Sequence, residues 1–282
     1  MSRFRRYRKT VPWFGEDVID PRRIRHLLTS KTARDGEQAR WETLHRQCAD
    51  GGSRQRLDRL IHRLNGRDRG VQESALAELE LAALLIRVGA TVRFLPESQA
   101  RSADLECHLG TERFFVEITA MVGAVERSKQ LFLQLRSRSD DEQETCRTPG
   151  DLLTNAILAR VRQKAKQLSD YCDPVLLAIS VPNVDKVIRS LRERISMLLD
   201  IKQLTGALSV LLPTLKHLSG VLVALWDVEP VQSKSGVRLG NVLMVERSQH
   251  QQAYPRVRML VLNPSADHPL HESGLAAMRH LL

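Results

Sequence analysis

Residues 101–121 read RSADLECHLGTERFFVEITAM. The pattern is two short apolar strands joined at Gly110-Thr111, a pair suited to a tight hairpin turn. Successive strand residues point to opposite faces, so residues two apart share one. In the second strand Phe114, Val116 and Ile118 share one face, while Phe115, Glu117 and Thr119 share the other. In the first, Leu105, Cys107 and Leu109 stand opposite to Asp104, Glu106 and His108, and Cys107 is expected to point into a core. An antiparallel pairing about Gly110 brings Asp104 and Glu117 together on what the alternation marks as the solvent side, because opposed and diagonal positions lie about 5–8 Å apart.

Two carboxylates that close raise each other's pKa unless a cation intervenes. A hard divalent ion, Mg2+ or Mn2+, takes oxygen ligands and keeps several waters. It can polarise a phosphoryl oxygen and lower the pKa of a bound water. Asp104 and Glu117 are therefore the candidate metal ligands. An edge strand with an ordinary solvated polar face is the competing reading of the same alternation. His108 is either a further ligand or base, or a half-exposed hairpin histidine, and the second fits its position better.

The neighbouring segments decide between these readings. The stretch 71–89, VQESALAELELAALLIRVG, has helical periodicity and a glycine placed to cap it. Glu78 shares its face with Leu81, Ala82 and Leu85, the stripe expected to meet the sheet. A second helix over about 151–168 carries Ile157, Val161, Lys164 and Leu168 on one stripe, with Gln167 beside the lysine. A buried acid and a buried lysine are each costly alone and reasonable together around an anionic or metal-bearing site. Alternatively, Lys164 lays its stem on apolar surface and its ammonium in water.

The rest of the chain supplies the frame. A buried strand is predicted at 174–181 (PVLLAISV), a helix at about 184–199, and strands at GVLVALW, NVLMVE and RVRMLVLN, with a short helix after Pro269. Residues 123–150 read as polar and mixed, with a mobile-looking RSRSDDEQETCRTPG. Before residue 70, helical spacing recurs from Gln38 to Leu64, split at Gly51-Gly52, and Gly66 and Gly70 mark its end. The order implies an α/β (α+β) chain with a mixed central β-sheet flanked by helices and an N-terminal helical region. Residues 1–70 form a basic arm and helical region, and 71–282 one domain.

Of the 282 residues, Lys and Arg number 43 against 33 Asp and Glu. The excess is uneven: residues 1–70 hold 18 basic and 9 acidic residues. A basic block on a nearly neutral body points to a polyanionic partner, because phosphate neutralisation releases counterions. A solvated Arg-rich helical face is the alternative. No apolar run reaches the roughly 20 residues of a membrane span, and MSRFRRYRKT is followed by no signal-like apolar region, so a cytoplasmic location without membrane contact is expected. Cys48, Cys107, Cys146 and Cys172 form no CxxC pair, which argues against a zinc site or a disulfide framework.

Taken in order, AELELAALLIRVG, SADLEC, FFVEITA, VRQKAKQL and PVLLAIS resemble the PD-(D/E)XK nuclease superfamily over about residues 71–182. The resemblance implies a restriction-endonuclease-like fold, Asp104 and Glu117 as metal ligands, and Glu78 as the helix-borne acid. Two departures stand out. Ala103 replaces the motif proline, a minor change. Thr119 stands where the pattern has the lysine that orients or activates the attacking water; Lys164, with Gln167 beside it, resembles the relocated lysine that some members use. The implied function is Mg2+- or Mn2+-dependent hydrolysis of phosphodiester bonds, with DNA favoured and held by the basic N-terminal region. The alternative is a protein that keeps the nuclease fold without its chemistry. It would bind nucleic acid or act as an accessory or assembly component of a bacterial defence or mobile-element system. Either is compatible with a homo-oligomer or a protein partner.

Overall fold

The computed structural model describes residues 50–96, 103–138, 148–182, 197–231, 239–248 and 255–282. The expected helical segment before Asp50, Cys48, Cys146 and most of the helix expected at 184–199 lie outside the described residues. Among these residues the elements are, in chain order, α1 (Gly51–Leu64), α2 (Arg69–Arg87), β1 (Thr91–Phe94), β2 (Leu105–Leu109), β3 (Glu112–Ala120), α3 (Ala124–Arg138) and α4 (Pro149–Ala165). There follow β4 (Val175–Val181), β5 (Leu198–Asp200), α5 (Ile201–Leu211), β6 (Gly220–Leu225), β7 (Glu229–Val231), β8 (Val242–Glu246), β9 (Val257–Leu262) and α6 (Glu272–Leu281). Seven strands hydrogen-bond in the order β1-β2-β3-β4-β6-β9-β8, giving a mixed α/β sheet flanked by helices. β5 and β7 pair separately.

Contacts group the chain into two units, described in turn. The first contains the described residues up to Ile118 together with Leu270–Leu281. Its helices begin where local chemistry says they should. Asp50 caps α1 by accepting from Ser53 N–H, and Asp68 caps α2 by accepting from Val71 N–H. α2 therefore opens at Arg69, so Gly70 lies inside a helix rather than marking a break. The expected glycine stop of α2 is present: Gly89 has φ +93° and its N–H donates to Ile86 O at 2.9 Å. α1 is tied to β1 through Ser53, whose Oγ accepts from Phe94 N–H at 3.0 Å. Leu57, Leu60, Leu85, Phe94, Leu105 and Phe114 are fully or almost fully buried in this unit.

The second unit holds Thr119–His250, Pro255–Pro269 and Leu282, less the residues left out above. Here the last residues of β3 run on to Met121, whose N–H donates to Ser180 O of β4 at 2.7 Å. β4 and β6 are parallel, and both are apolar on two faces, as strands covered on both sides must be. β9 is antiparallel to β6 and to β8. Pro149 sits in the first turn of α4, where a missing N–H costs nothing, and Thr148 and Asp151 make a reciprocal capping box. Gly150 packs on the Leu198 carbonyl so closely that an added Cβ would overlap it. Because the obstacle is backbone, Gly150→Ala is expected to cost about 2 kcal/mol. Urea unfolding checks this, and a loss under about 0.5 kcal/mol would contradict the packing.

Three elements differ from the sequence expectation. Residues 124–138, read as polar and mixed, form α3; its Leu131 and Leu133 are exposed, so no continuous apolar stripe announces it. Residues 198–200, placed at the end of a helix, are strand β5, and residues 201–211, where no helix is expected, form α5. Asp200 sets the start of α5, since its side chain accepts from Gln203 N–H. Among the described residues no helix is long and apolar enough to cross a membrane.

Candidate functional site

The site is built on the β2–β3 hairpin of the first unit. Gly110 takes φ +60°, and Leu109 pairs with Glu112, so the turn is the two-residue one that Gly110-Thr111 predicts. Leu105 pairs with Val116, the last pair of the ladder, and Asp104 and Glu117 lie just beyond it on the two arms. Backbone bonds hold Asp104 in that place although β2 begins one residue later. Its N–H donates to Val116 O at 3.0 Å, and its O accepts from Leu95 N–H at 2.9 Å. The Asp104 Oδ2 accepts from Ile118 N–H at 2.8 Å, so the carboxylate is oriented as well as placed.

Glu117 is buried, as are Phe115 and Thr119, which corrects the expectation that this face of the hairpin is the solvent side. Alternation identifies which residues share a face but not what covers it. Glu106, two residues from Asp104, is also buried and is neutralised locally. Arg93 Nη1 lies 3.3 Å, His108 Nε2 3.2 Å and Arg113 Nη1 3.7 Å from its carboxylate oxygens. His108 is half exposed, in keeping with the hairpin-histidine reading. Cys107 points inward, and burial pushes its thiol well above the ordinary range, which makes it unsuited to act as a nucleophile.

Beneath the hairpin, α2 contributes Glu78, also buried. The residue that joins Glu78 to Asp104 is Arg56 of α1, absent from the sequence prediction. Its Nη2 lies 2.8 Å from Glu78 Oε2 and 3.4 Å from Asp104 Oδ1, with only 3% of the arginine side chain exposed. A signal for it exists. Ser53, Arg56, Leu57, Leu60 and Leu64 are the buried residues of α1, so the arginine occupies a helical stripe that is otherwise suited to apolar residues.

Burial first, and then the Asp104 carboxylate, push Glu78 from an ordinary 4.5 up to about 8. The Arg56 and Arg63 guanidinia pull the other way, and Glu117 adds to the rise. Glu78 thus feels two other carboxylates and two guanidinia. A hard divalent ion suits such a donor set chemically, since Mg2+ or Mn2+ needs one or two carboxylates and completes its shell with water. Asp104 and Glu117 are the two that the hairpin carries, one on each arm. Among the described residues no group of three His, Cys, Asp or Glu side chains forms a ready metal cage. The guanidinium shared between Glu78 and Asp104 holds part of the charge that such a cage would present.

Lys164, Gln167 and Thr119 belong to the second unit. Thr119 is buried near the end of β3. Lys164 is half-buried at the end of α4, and the fully buried stripe runs through Ile157, Val161, Ala165 and Leu168, so Ala165 rather than Lys164 takes the apolar seat. Gln167 is also half-buried, and its N–H donates to Lys164 O at 2.9 Å. No protein-family model, no curated protein and no solved structure matches this chain.

Proposed function

We infer that the chain is a Mg2+- or Mn2+-dependent nuclease acting on phosphodiester bonds, with DNA the favoured substrate. The observation that carries this reading is the Asp104 carboxylate bonded to the N–H of Ile118, next to Glu117, with the buried Glu78 close enough to feel both acids. The order α2, β1, β2, β3, α3, α4, β4, with acids on α2, before β2 and in β3, supports the restriction-endonuclease-like form of the fold.

Asp104 and Glu117 would hold the metal ion, which when bound supplies Lewis-acid polarisation of the phosphate and a water of lowered pKa. The chain's own contribution is orientation and charge. Ile118 N–H fixes one Asp104 oxygen, and Glu78 with Arg56 fixes the side from which the other is approached. In this reading Lys164 stabilises the charge that develops on the phosphate, and Gln167 positions groups beside it. Both assignments rest on the resemblance alone. The basic residues ahead of residue 70 would hold the polyanion by charge.

A second reading, a nuclease-like protein that binds nucleic acid or serves as an accessory component without cutting, is favoured by two observations. Thr119 cannot supply the motif cation, and Arg56 already neutralises part of the acid cluster. Incubation of plasmid and linear DNA with the protein and Mn2+ separates the two. The nuclease reading expects cleavage that falls at least about 100-fold in Asp104→Ala and in Glu117→Ala, the loss of a metal ligand removing the Lewis acid. Salt-sensitive DNA binding without any cleavage, or cleavage undiminished in both variants, would reject it.

A further inference from the structure

Arg56 reaches the acid cluster from α1, outside the stretch that carries the nuclease resemblance. One nitrogen, Nη2, is shared unequally between two carboxylates, closer to Glu78 at 2.8 Å than to Asp104 at 3.4 Å. A guanidinium stays charged at every pH at which a protein is folded, so this positive charge is permanent. It lies in a place shielded from water, where charges act on each other strongly. A divalent ion held by Asp104 would neutralise the same carboxylate that Arg56 partly neutralises, and the two cations would repel each other.

We propose that Arg56 is the resident counter-cation of the site: it holds Asp104 oriented while no divalent ion is bound, and it competes with that ion for Asp104, setting the affinity. The inference rests on the metal-dependent reading of Asp104 and Glu117. The unequal distances give the competition its direction. Glu78 keeps the arginine, and Asp104 is the partner that is released. Asp104 does not swing away when released, because Ile118 N–H holds its other oxygen at 2.8 Å. Nor does the arginine leave with its helix. Asp50 caps α1 through Ser53, and Ser53 is bonded to Phe94 of β1, so adjustment falls to the side chain. Arg56 is accordingly a positioning residue whose charge is tuned against metal.

Calorimetric titration of the full chain with MnCl2, after chelator treatment, tests this in the wild type, Arg56→Met, Asp104→Ala and the Asp104→Ala/Arg56→Met double variant. Removing one positive charge at close range is expected to tighten Mn2+ binding in Arg56→Met by at least about 10-fold, and the double variant is expected to lose that gain. Wild-type binding with equal or weaker binding in Arg56→Met overturns the inference and leaves the nuclease reading standing. Binding that appears only in Arg56→Met, and is abolished by Asp104→Ala, supports the inference and rejects the nuclease reading of the wild type. No binding in any protein overturns both. If Arg56→Met is unfolded without metal, recovery of its far-ultraviolet circular dichroism on adding Mn2+ supports the competition. An unfolded chain at saturating Mn2+ overturns it.

Discussion

Arg56→Met is expected to lower the stability of the metal-free protein by about 3–5 kcal/mol near pH 8, the usual cost of breaking a buried ion pair from one side. Methionine keeps most of the arginine stem, so the loss reports the missing charge rather than a cavity. Set against a typical domain stability of about 5–15 kcal/mol, this brings the chain close to unfolding. The penalty is expected to depend on pH with a definite sign. Glu78 in the folded protein is pushed up to about 8 from an ordinary 4.5, burial being the main cause. Between those values the folded state binds more protons than the unfolded chain, so the stability this group contributes falls as pH rises through that window. Arg56 lowers the Glu78 value. Without it the carboxyl holds its proton to still higher pH, and the destabilisation is largest where the wild-type carboxylate is ionised. Urea unfolding at about pH 5, 7 and 8.5 measures this through the linkage relation. A penalty below about 1 kcal/mol, or one that shrinks as pH rises, would show that the pair contributes little.

The hairpin that bears the site was legible because its information is local. A two-residue period, a glycine able to take φ +60° and a count of residues from the turn suffice to pair Leu105 with Val116 and to place Asp104 and Glu117 just beyond that pair. Glu78 was legible for a similar reason, as an acid on the apolar stripe of a long helix that ends at a glycine. Arg56 was not found, although its signal was of the same kind as the one sought in Lys164. The 18 basic residues before residue 70 invite a single explanation, charge towards a polyanion, and hide one arginine that faces inward. The burial of Glu117 and Thr119 was hidden for another reason. It depends on what packs over the sheet, and a strand's own alternation is the same whether that face meets water or protein. α3 escaped because Leu131 and Leu133 are exposed. α5 escaped although Ile201, Leu204, Thr205, Leu208 and Leu211 follow helical spacing, because the chain after 199 reads as strands joined by loops.

Glu112→Ala is expected to cost about 3–4 kcal/mol, because two backbone amides, one of them buried, and a hydroxyl lose one shared charged acceptor. Glu112 opens β3, yet its carboxylate sits at the start of α6, some 160 residues later in the chain. Oε1 accepts from His271 N–H at 2.7 Å, and Oε2 accepts from Ser273 Oγ–H and Gly274 N–H, each at 2.8 Å. The first N–H groups of a helix have no partner within it and lie at the positive end of its dipole, so a negative side chain there satisfies both needs. Glutamine keeps one oxygen but sets its amide N–H groups against other donors, and Glu112→Gln should lose about 1–2 kcal/mol. Hydrogen exchange locates the effect: protection should fall first along Glu272–Leu281, while β4 and β6 keep theirs. Gly274 provides an internal check, since a Cβ there would come within 2.7 Å of Glu112 Oε2. Gly274→Ala should therefore be destabilising in the wild type and much less so once Glu112 is alanine, because the atom it strikes has been removed. A double-mutant cycle measures that coupling. Strictly additive losses would mean that the carboxylate does not hold the helix start.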